Sequence, residues 1–312
     1  MSTLAQREQA HEERSLEVYK RNDMIQRARF TLSIQEHRTV LYAISKIQPT
    51  DTYLKEYTFE IKDFYRVIGW DKESYTEFKQ MLKALSDKSW WATIKRDDGT
   101  EFESLVRWFT TVRSDKRSGK VTIKFHEDMM PYLVQLAQGT EFYTKYQLQY
   151  VLPMSCIYSP RLYEILKSYQ YNNMQWFFDV DELRRLLDCQ NYERWPDFRR
   201  YALEPAVAEI NKYTDIKIAY KVEKDGRRVS RIIFGMLEKT DRELLETQQA
   251  VRETLDGQLS IEDIAKEVQE DPLFQLEKQH RMAVIAEQQA KAEQQAKIEA
   301  GRRRLEESWE IK

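Results

Sequence analysis

Two clusters of basic side chains in the second half of the chain have the types and spacing that DNA recognition requires. The first cluster comprises Arg194, Arg199 and Arg200. An arginine near the N-terminus of a helix that enters the major groove commonly pairs with O6 and N7 of guanine. The alternative is a solvated, charged helix face, and the three arginines alone leave both interpretations open.

The second cluster surrounds a predicted turn with the sequence K-D-G-R-R at 224–228. Its basic side chains outnumber the two nearby acids, Glu223 and Asp225. Cations at a hairpin tip suit phosphates, and such contacts orient a protein on DNA and weaken steeply with salt. The alternative is a hairpin whose edge charges only prevent aggregation. We favour phosphate contacts, made by Lys224, Arg227, Arg228 and Arg231.

Three consecutive segments must position these clusters. Residues 178–188 predict a short helix, residues 191–215 predict a longer helix, and residues 216–236 predict a β-hairpin that carries the basic turn. Helix, helix and basic hairpin is the order of a winged helix. A winged helix places the second of these two helices in the major groove of DNA, and its hairpin, called the wing, on the adjacent DNA backbone.

The longer helix has two predicted faces. Apolar residues at four-residue spacing should face the core. They are Phe198, Ala202, Ala206 and Ile210. Arg199, Arg200 and Leu203 then face solvent. Pro205 lacks the N–H that a helix interior needs, so we expect the helix to kink or break there and base reading to come from the turns before it.

The first half of the chain repeats this order of elements without a clear repeat of sequence. Ser33 and Glu36 form an S-x-x-E capping box, in which each side chain satisfies a free backbone N–H at a helix start. Residues 57–61 alternate like a strand, and helices and hairpins follow. The predicted fold class is therefore α+β, with two tandem winged-helix domains.

The groove-facing helix predicted for the first domain carries Lys79 and Lys83 opposite its apolar stripe. We predict that both lysines contact the DNA backbone. The hairpin after this helix is acidic at 97–98, whereas a further turn at 113–120 is basic. This chemistry favours weaker contact with DNA than in the second domain, and a protein interface is the alternative.

Charge is distributed unevenly along the chain. The formal net charge is −2, but residues 241–312 hold 11 Lys and Arg against 17 Asp and Glu, which leaves +4 on residues 1–240. We predict a flexible N-terminal arm at 1–22, winged-helix domains at 23–145 and 146–240, and a charged tail, helical or disordered, at 241–312. A negative net charge is unusual for a DNA-binding protein, but here it comes from the tail, so it does not argue against DNA binding by residues 1–240.

The sequence lacks recognisable catalytic motifs. Its four histidines are isolated, so the H-x-H motif of a strand-nicking initiator is missing, and no glycine lies in a G-x-x-x-x-G-K-[ST] motif. Cys156 and Cys189 do not form a C-x-x-C pair, which favours a reducing compartment. No apolar run reaches the length of a membrane span. We expect a cytoplasmic protein without catalysis, cofactor or metal.

Several motifs resemble those of one protein family. The most specific is W-P-D-F-R-R-Y-A-L-E-P-A-V-A-E-I-N at 195–211, followed by a strand and K-D-G-R-R. The preceding helices carry S-P-R-L-Y-E-I-L-K at 159–167 and F-D-V-D-E-L-R-R-L-L at 178–187, and N-D-M-I-Q-R-A-R-F-T-L-S-I-Q-E-H-R begins at 22. Together they resemble the iteron-binding plasmid replication initiators, the RepA/RepB/RepE-type Rep proteins with tandem winged helices.

The resemblance implies a role. Such proteins bind direct repeats, called iterons, in double-stranded plasmid origin DNA as monomers, and open the origin with the host replication initiator, helicase and chaperones. As dimers they often repress their own gene. By position, the family's main base contacts imply Arg199 and Arg200, with Arg194 and the wing residues Arg227 and Arg228 in support. The first domain is implied to add backbone contacts and the dimer interface. The alternative is a winged-helix transcription regulator without a replication role.

Overall fold

The computed structural model describes residues 4–68, 75–95, 98–136, 142–170 and 174–256, so the predicted tail beyond 256 lies outside the described residues. Its helices are α1 (Leu4–Arg14), α2 (Asn22–Arg27), α3 (Ile34–Ile44), α4 (Ile61–Val67), α5 (Tyr75–Ser86), α6 (Met130–Leu133), α7 (Ser159–Gln170), α8 (Val180–Leu186), α9 (Trp195–Phe198), α10 (Glu204–Tyr213) and α11 (Asp241–Asp256). Its strands are β1 (Glu17–Arg21), β2 (Tyr57–Glu60), β3 (Ser89–Lys95), β4 (Glu101–Arg107), β5 (Phe109–Asp115), β6 (Lys120–Phe125), β7 (Tyr143–Gln147), β8 (Gln175–Asp179), β9 (Ile216–Asp225) and β10 (Arg228–Glu238). None of the described helices is long and apolar enough to cross a membrane.

Helices α3, α4 and α5 and the sheet β2-β6-β5 form the first winged-helix unit. Its core is rich in aromatic rings, and the ring centroids of Phe64 and Phe78 lie 5.0 Å apart. The predicted capping box is present at the start of α3. Ser33 Oγ accepts from the backbone N–H of Glu36 at 3.3 Å, and the Glu36 carboxylate accepts from the backbone N–H of Ser33 at 2.7 Å. Helix α3 therefore begins where the sequence predicts.

The second winged-helix unit has the same strand order, β8-β10-β9. In both units a short first strand pairs with the last strand of a hairpin. In the second unit this hairpin is β9–β10, the predicted wing. In the first unit it is β5–β6, with the basic turn at 116–119, whereas the acidic hairpin β3–β4 forms a separate two-stranded sheet. The basic turn is therefore the counterpart of the wing.

Of the two predicted outcomes at Pro205, a kink or a break, the break is wrong. Helix α9 continues through a π-helical stretch, Arg199–Leu203, into α10, and the backbone N–H of Glu204 donates to the carbonyl of Arg199, five residues earlier. A π turn displaces the preceding carbonyl with which the proline ring would clash in an α-helix, so the helix accommodates Pro205. We call the continuous helix at 195–213 the recognition helix.

The π stretch also changes one of the predicted faces. The apolar stripe from Phe198 to Ile210 is fully buried, as predicted. Leu203, which was predicted to face solvent, is fully buried as well. A π turn contains more residues than an α turn, so it rotates the residues that follow and brings Leu203 to the core. Arg199 and Arg200 stay exposed.

Residues 4–22, predicted as a flexible arm, instead form helix α1, strand β1 and the start of α2. Helix α1 packs on α4, and β1 pairs antiparallel with β7. Arg14 is almost fully buried, and its guanidinium donates to the carbonyls of Val67 and Arg66 at 2.7 and 2.8 Å. Charged side chains suggested a solvated segment, but the fold supplies their partners.

Helix α7 lies between the N-terminal strand β1 and the second unit. Its Glu164 carboxylate binds the buried Lys20 ammonium at 2.5 Å, and its Tyr163 and Lys167 bind Asp215 at 2.8 and 2.7 Å. Burial opposes the charged form of Glu164, but the surrounding cations, Lys20 foremost, outweigh it and lower the pKa of the carboxyl group. These contacts join α7 to strand β1 on one side and to the second unit on the other.

The segment predicted as a tail begins with an ordered helix. Helix α11 packs along α10 and buries Thr247, Val251 and Leu255. Its last residue, Asp256, accepts a hydrogen bond from the Arg14 guanidinium at 2.7 Å and so links α11 to α1. The folded part of the chain therefore extends past the predicted boundary at residue 240.

Candidate nucleic-acid interface

The recognition helix presents Arg200 as an available cation. Its side chain is exposed and forms no ion pair with the described part of the chain. Its guanidinium lies over the ring of Tyr201, 5.3 Å from the ring centroid. Arg194 is 80% exposed at the start of the helix and has only a long contact, 3.8 Å, with Asp197. Among the described residues Arg200 has no acidic partner and Arg194 has only this long contact, so both guanidinium groups can bind another molecule.

Arg199 is placed differently from Arg200. Its guanidinium binds the Glu204 carboxylate at 2.6 and 2.7 Å. That hydrogen bond, together with the charge of Glu204 and the nearby Tyr220 on β9, raises the pKa of Arg199. To reach a base, Arg199 would have to leave Glu204, so of the two adjacent arginines Arg200 has the more accessible donors.

The wing ends in a two-residue turn. Gly226 has a φ of +59°, which glycine adopts without steric cost at the first position of such a turn. Lys224 and Arg227, beside this glycine, are exposed and form no ion pair with any described residue. They are the cations that the wing offers to a phosphate.

The other two predicted wing contacts are held by the protein itself. Arg228 binds the Asp181 carboxylate of α8 at 2.6 Å. The Arg231 guanidinium lies 4.4 Å from the ring centroid of Phe177 and 3.5 Å from an oxygen of Asp179. These contacts fasten the wing to β8 and α8, and they leave Arg228 and Arg231 less available to DNA than Arg227.

In the first unit, Lys79 and Lys83 are exposed on α5 and have no ion pair with a described residue. The turn between β5 and β6 carries Lys116 and Arg117, and Asp115 orders it by accepting from Ser118 Oγ at 2.6 Å and from the backbone N–H of Arg117 at 2.9 Å. The same hydrogen bonds, Ser118's first, lower the pKa of Asp115. This unit therefore offers lysines on its helix and a basic, ordered wing.

The described residues contain no group of three or more His, Cys, Asp or Glu side chains arranged to hold a metal ion. Tyr201, which is not among the predicted contact residues, is half exposed on the recognition helix directly after Arg200. The sequence offers one signal for this residue, which is an aromatic side chain next to the charged residues of the helix. The structure adds that half of the ring is exposed, so packing in the core does not explain the tyrosine.

Family models match both units of this chain. The model of the WH1 domain of initiator replication proteins matches residues 17–167, and the model of the WH2 domain of initiator Rep proteins matches residues 179–236. The chain belongs to the initiator Rep protein family. The resemblance drawn from the sequence motifs and the predicted pair of winged helices are thereby confirmed. The WH1 match extends beyond the predicted domain boundary at 145–146 and includes most of α7.

Two matches, one to a sequence and one to a solved structure, illustrate the relationship. The PI protein of Escherichia coli is 27% identical over 154 residues, which are 44% of this chain and 49% of that protein. The match thus spans about half of the length of that curated relative. The crystal structure of the Pi initiator protein in complex with iteron DNA has a TM-score of 0.58 and 22% identity, and covers 73% of this chain and 99% of that chain. At this identity the second comparison shows a shared fold.

Proposed function

We propose that this protein is a plasmid replication initiator that binds iterons in its origin through the two winged-helix units. The observation that carries this proposal is the unpaired cations on both elements that a winged helix turns to DNA. They are Arg200 on the recognition helix and Lys224 and Arg227 on the wing. Membership of the initiator Rep family, and iteron DNA in the Pi initiator complex, support the same function.

The two units have different tasks in this proposal. Arg200 makes the principal base contact in the major groove, with Arg194 and Arg199 at its sides. Lys224 and Arg227 hold phosphates, as do Lys79 and Lys83 of the first unit, because ammonium and guanidinium groups both bind phosphate, whereas the planar fork of Arg200 also matches the edge of a guanine. Arg228 and Arg231 contribute less to DNA binding, because acids of the protein already bind them.

We further propose that the protein exists as a monomer and a homodimer, and that the dimer forms through the first unit and represses the protein's own gene. Trp91 and Leu105 are paired across β3 and β4, and 46% and 55% of their surfaces are exposed. An exposed apolar pair on a two-stranded sheet supports a partner there. Leu105→Glu should shift the protein to the monomer in analytical ultracentrifugation. An unchanged dimer would place the interface elsewhere.

Origin opening would then need host proteins, and we propose the host replication initiator, helicase and chaperones as partners in the cytoplasm. The protein would act on DNA by binding alone, without catalysis. Strand nicking or ATP hydrolysis by the purified protein would refute that part of the proposal.

Footprinting on the DNA that flanks the gene tests the function. Two winged helices that enter successive major grooves cover about 20 base pairs, or two helical turns. We expect protected tandem direct repeats of that length beside an AT-rich stretch. Protection of a single palindrome, without repeats, would instead favour the transcription regulator.

A further inference from the structure

Tyr201 is the most conspicuous aromatic side chain of the recognition helix. It is 50% exposed, although apolar residues beside it, Ala202 and Leu203, are fully buried. Its hydroxyl makes no hydrogen bond with a described residue. The fold therefore does not need this ring in its core, and the ring directly follows Arg200, the available cation of the helix.

The Tyr201 ring has a defined position although half of it is exposed. It stacks on the ring of Tyr192, with centroids 5.8 Å apart and planes 27° apart. Tyr192 in turn packs edge-on against Tyr158, which is buried. The Arg200 guanidinium covers part of Tyr201 at 5.3 Å. Because a tyrosine has few rotatable bonds and this ring is already supported, ordering it on a ligand costs little entropy.

A supported apolar ring beside a guanine-reading arginine suits one chemical group of the major groove. Thymine alone of the four bases presents a methyl group there, and apolar side chains recognise it by contact. We propose that Tyr201 is a specificity-determining residue whose ring contacts the C5-methyl of a thymine adjacent to the guanine that Arg200 reads. This inference rests on the proposed function, because it requires the recognition helix to lie in the groove.

The neighbouring side chains agree with this choice. Glu204, about one turn along the helix, holds the Arg199 guanidinium at 2.6 Å, so this cation is not available to bind a phosphate at this point of the surface. A tyrosine hydroxyl can donate to a phosphate, which is the competing role for Tyr201. The two roles use different atoms of the same side chain, so they can be separated experimentally.

The experiment is a gel-shift titration of the full-length protein on a footprinted repeat in which thymines are replaced one at a time by deoxyuridine, which lacks only the methyl group. Wild type should lose about four-fold in affinity at one thymine, the effect of one buried methyl group. Tyr201→Phe should keep this loss, because it keeps the ring. Tyr201→Ala should bind thymine and deoxyuridine equally at that position.

Tyr53→Ala is the matched control, since Tyr53 is 58% exposed in the first unit, and it should keep the deoxyuridine effect. Thermal unfolding verifies that Tyr201→Ala is folded. If Tyr201→Phe weakens binding to every sequence alike and Tyr201→Ala still distinguishes deoxyuridine, the hydroxyl contacts a phosphate and the proposal is overturned. If wild type fails to bind the repeats at all, the proposed function itself fails, which is a distinct outcome.

Discussion

The two winged-helix units share a strand order but present different chemistry to DNA. The sheets β2-β6-β5 and β8-β10-β9 have the same strand order, and in each sheet the hairpin carries a basic turn. In the first unit the helix that would face the groove is α5, which offers Lys79 and Lys83, whereas in the second unit the recognition helix offers Arg200. The fold determines where a side chain meets DNA, and the side chain determines whether it reads a base or holds a phosphate.

The groove-facing helices also differ in their support. Helix α5 packs on α3 and β5 within its own unit. The recognition helix packs on α7 and β9 and, in addition, on α11, which continues to α1 through the Asp256–Arg14 ion pair. A base-reading helix must hold its side chains in one position, so the extra support falls on the unit to which we assign base reading.

The largest expected effect comes from removing that support. Leu255→Ala should lower the free energy of unfolding by about 2–5 kcal/mol, because it leaves a cavity where a buried leucine of α11 packs. Leu245→Ala on the same helix should change it little, since Leu245 is 61% exposed. Urea denaturation of both variants checks the comparison. Equal effects would mean that α11 does not brace the fold.

Arg200→Ala should reduce affinity for the cognate repeat by about 1–3 kcal/mol and relax preference at one base pair, because a bidentate guanine contact is lost. Lys79→Ala in the first unit should weaken binding to all sequences alike. Gel-shift titrations on a panel of singly substituted repeats distinguish the two. Sequence-dependent loss in Lys79→Ala would give the first unit a reading role.

The phosphate contacts of the two wings can be compared through the salt dependence of DNA binding. Arg227→Ala should flatten the dependence of log K on log salt by about one unit, as expected for one lost phosphate contact. Arg117→Ala makes the corresponding change in the wing of the first unit. If both units lie on the backbone, both slopes fall. An unchanged slope for Arg117→Ala would restrict DNA contact by wings to the second unit.

The smallest effect should come from Arg228→Ala. The Arg228 side chain is 73% exposed but binds Asp181. Its loss should therefore change the salt dependence of DNA binding less than the loss of Arg227 does. Asp181→Asn is the matched control, because it frees Arg228 and should strengthen binding slightly. A salt effect of Arg228→Ala equal to that of Arg227→Ala would show that the ion pair opens on DNA.

Local patterns in the sequence predicted the elements that depend on local chemistry. The capping box of α3, the apolar stripe of the recognition helix and the β9–β10 hairpin with its glycine turn follow from neighbouring residues. Properties that depend on distant partners were not predictable in this way. The order of α1 and β1 rests on contacts with α4, β7 and α7, which lie far along the chain.

The candidate site shows the same division. The sequence indicates which side chains are basic, and the structure shows which of them already form ion pairs with acidic side chains of the same chain. Arg199 and Arg200 are adjacent and chemically identical, yet only Arg199 meets Glu204. The π stretch that moves Leu203 into the core arises from how the helix accommodates Pro205, and a fixed helical period cannot represent such a change.

Methylation interference at guanine N7 tests the central claim most directly, because it probes the atom that Arg200 should contact. Repeats methylated with dimethyl sulfate are separated into bound and free fractions and the excluded guanines are read. We predict that one guanine interferes with binding of wild type and of Lys79→Ala, and that this interference disappears in Arg200→Ala. Interference that persists in Arg200→Ala, or that disappears in Lys79→Ala, would contradict the assignment of base reading to the second unit.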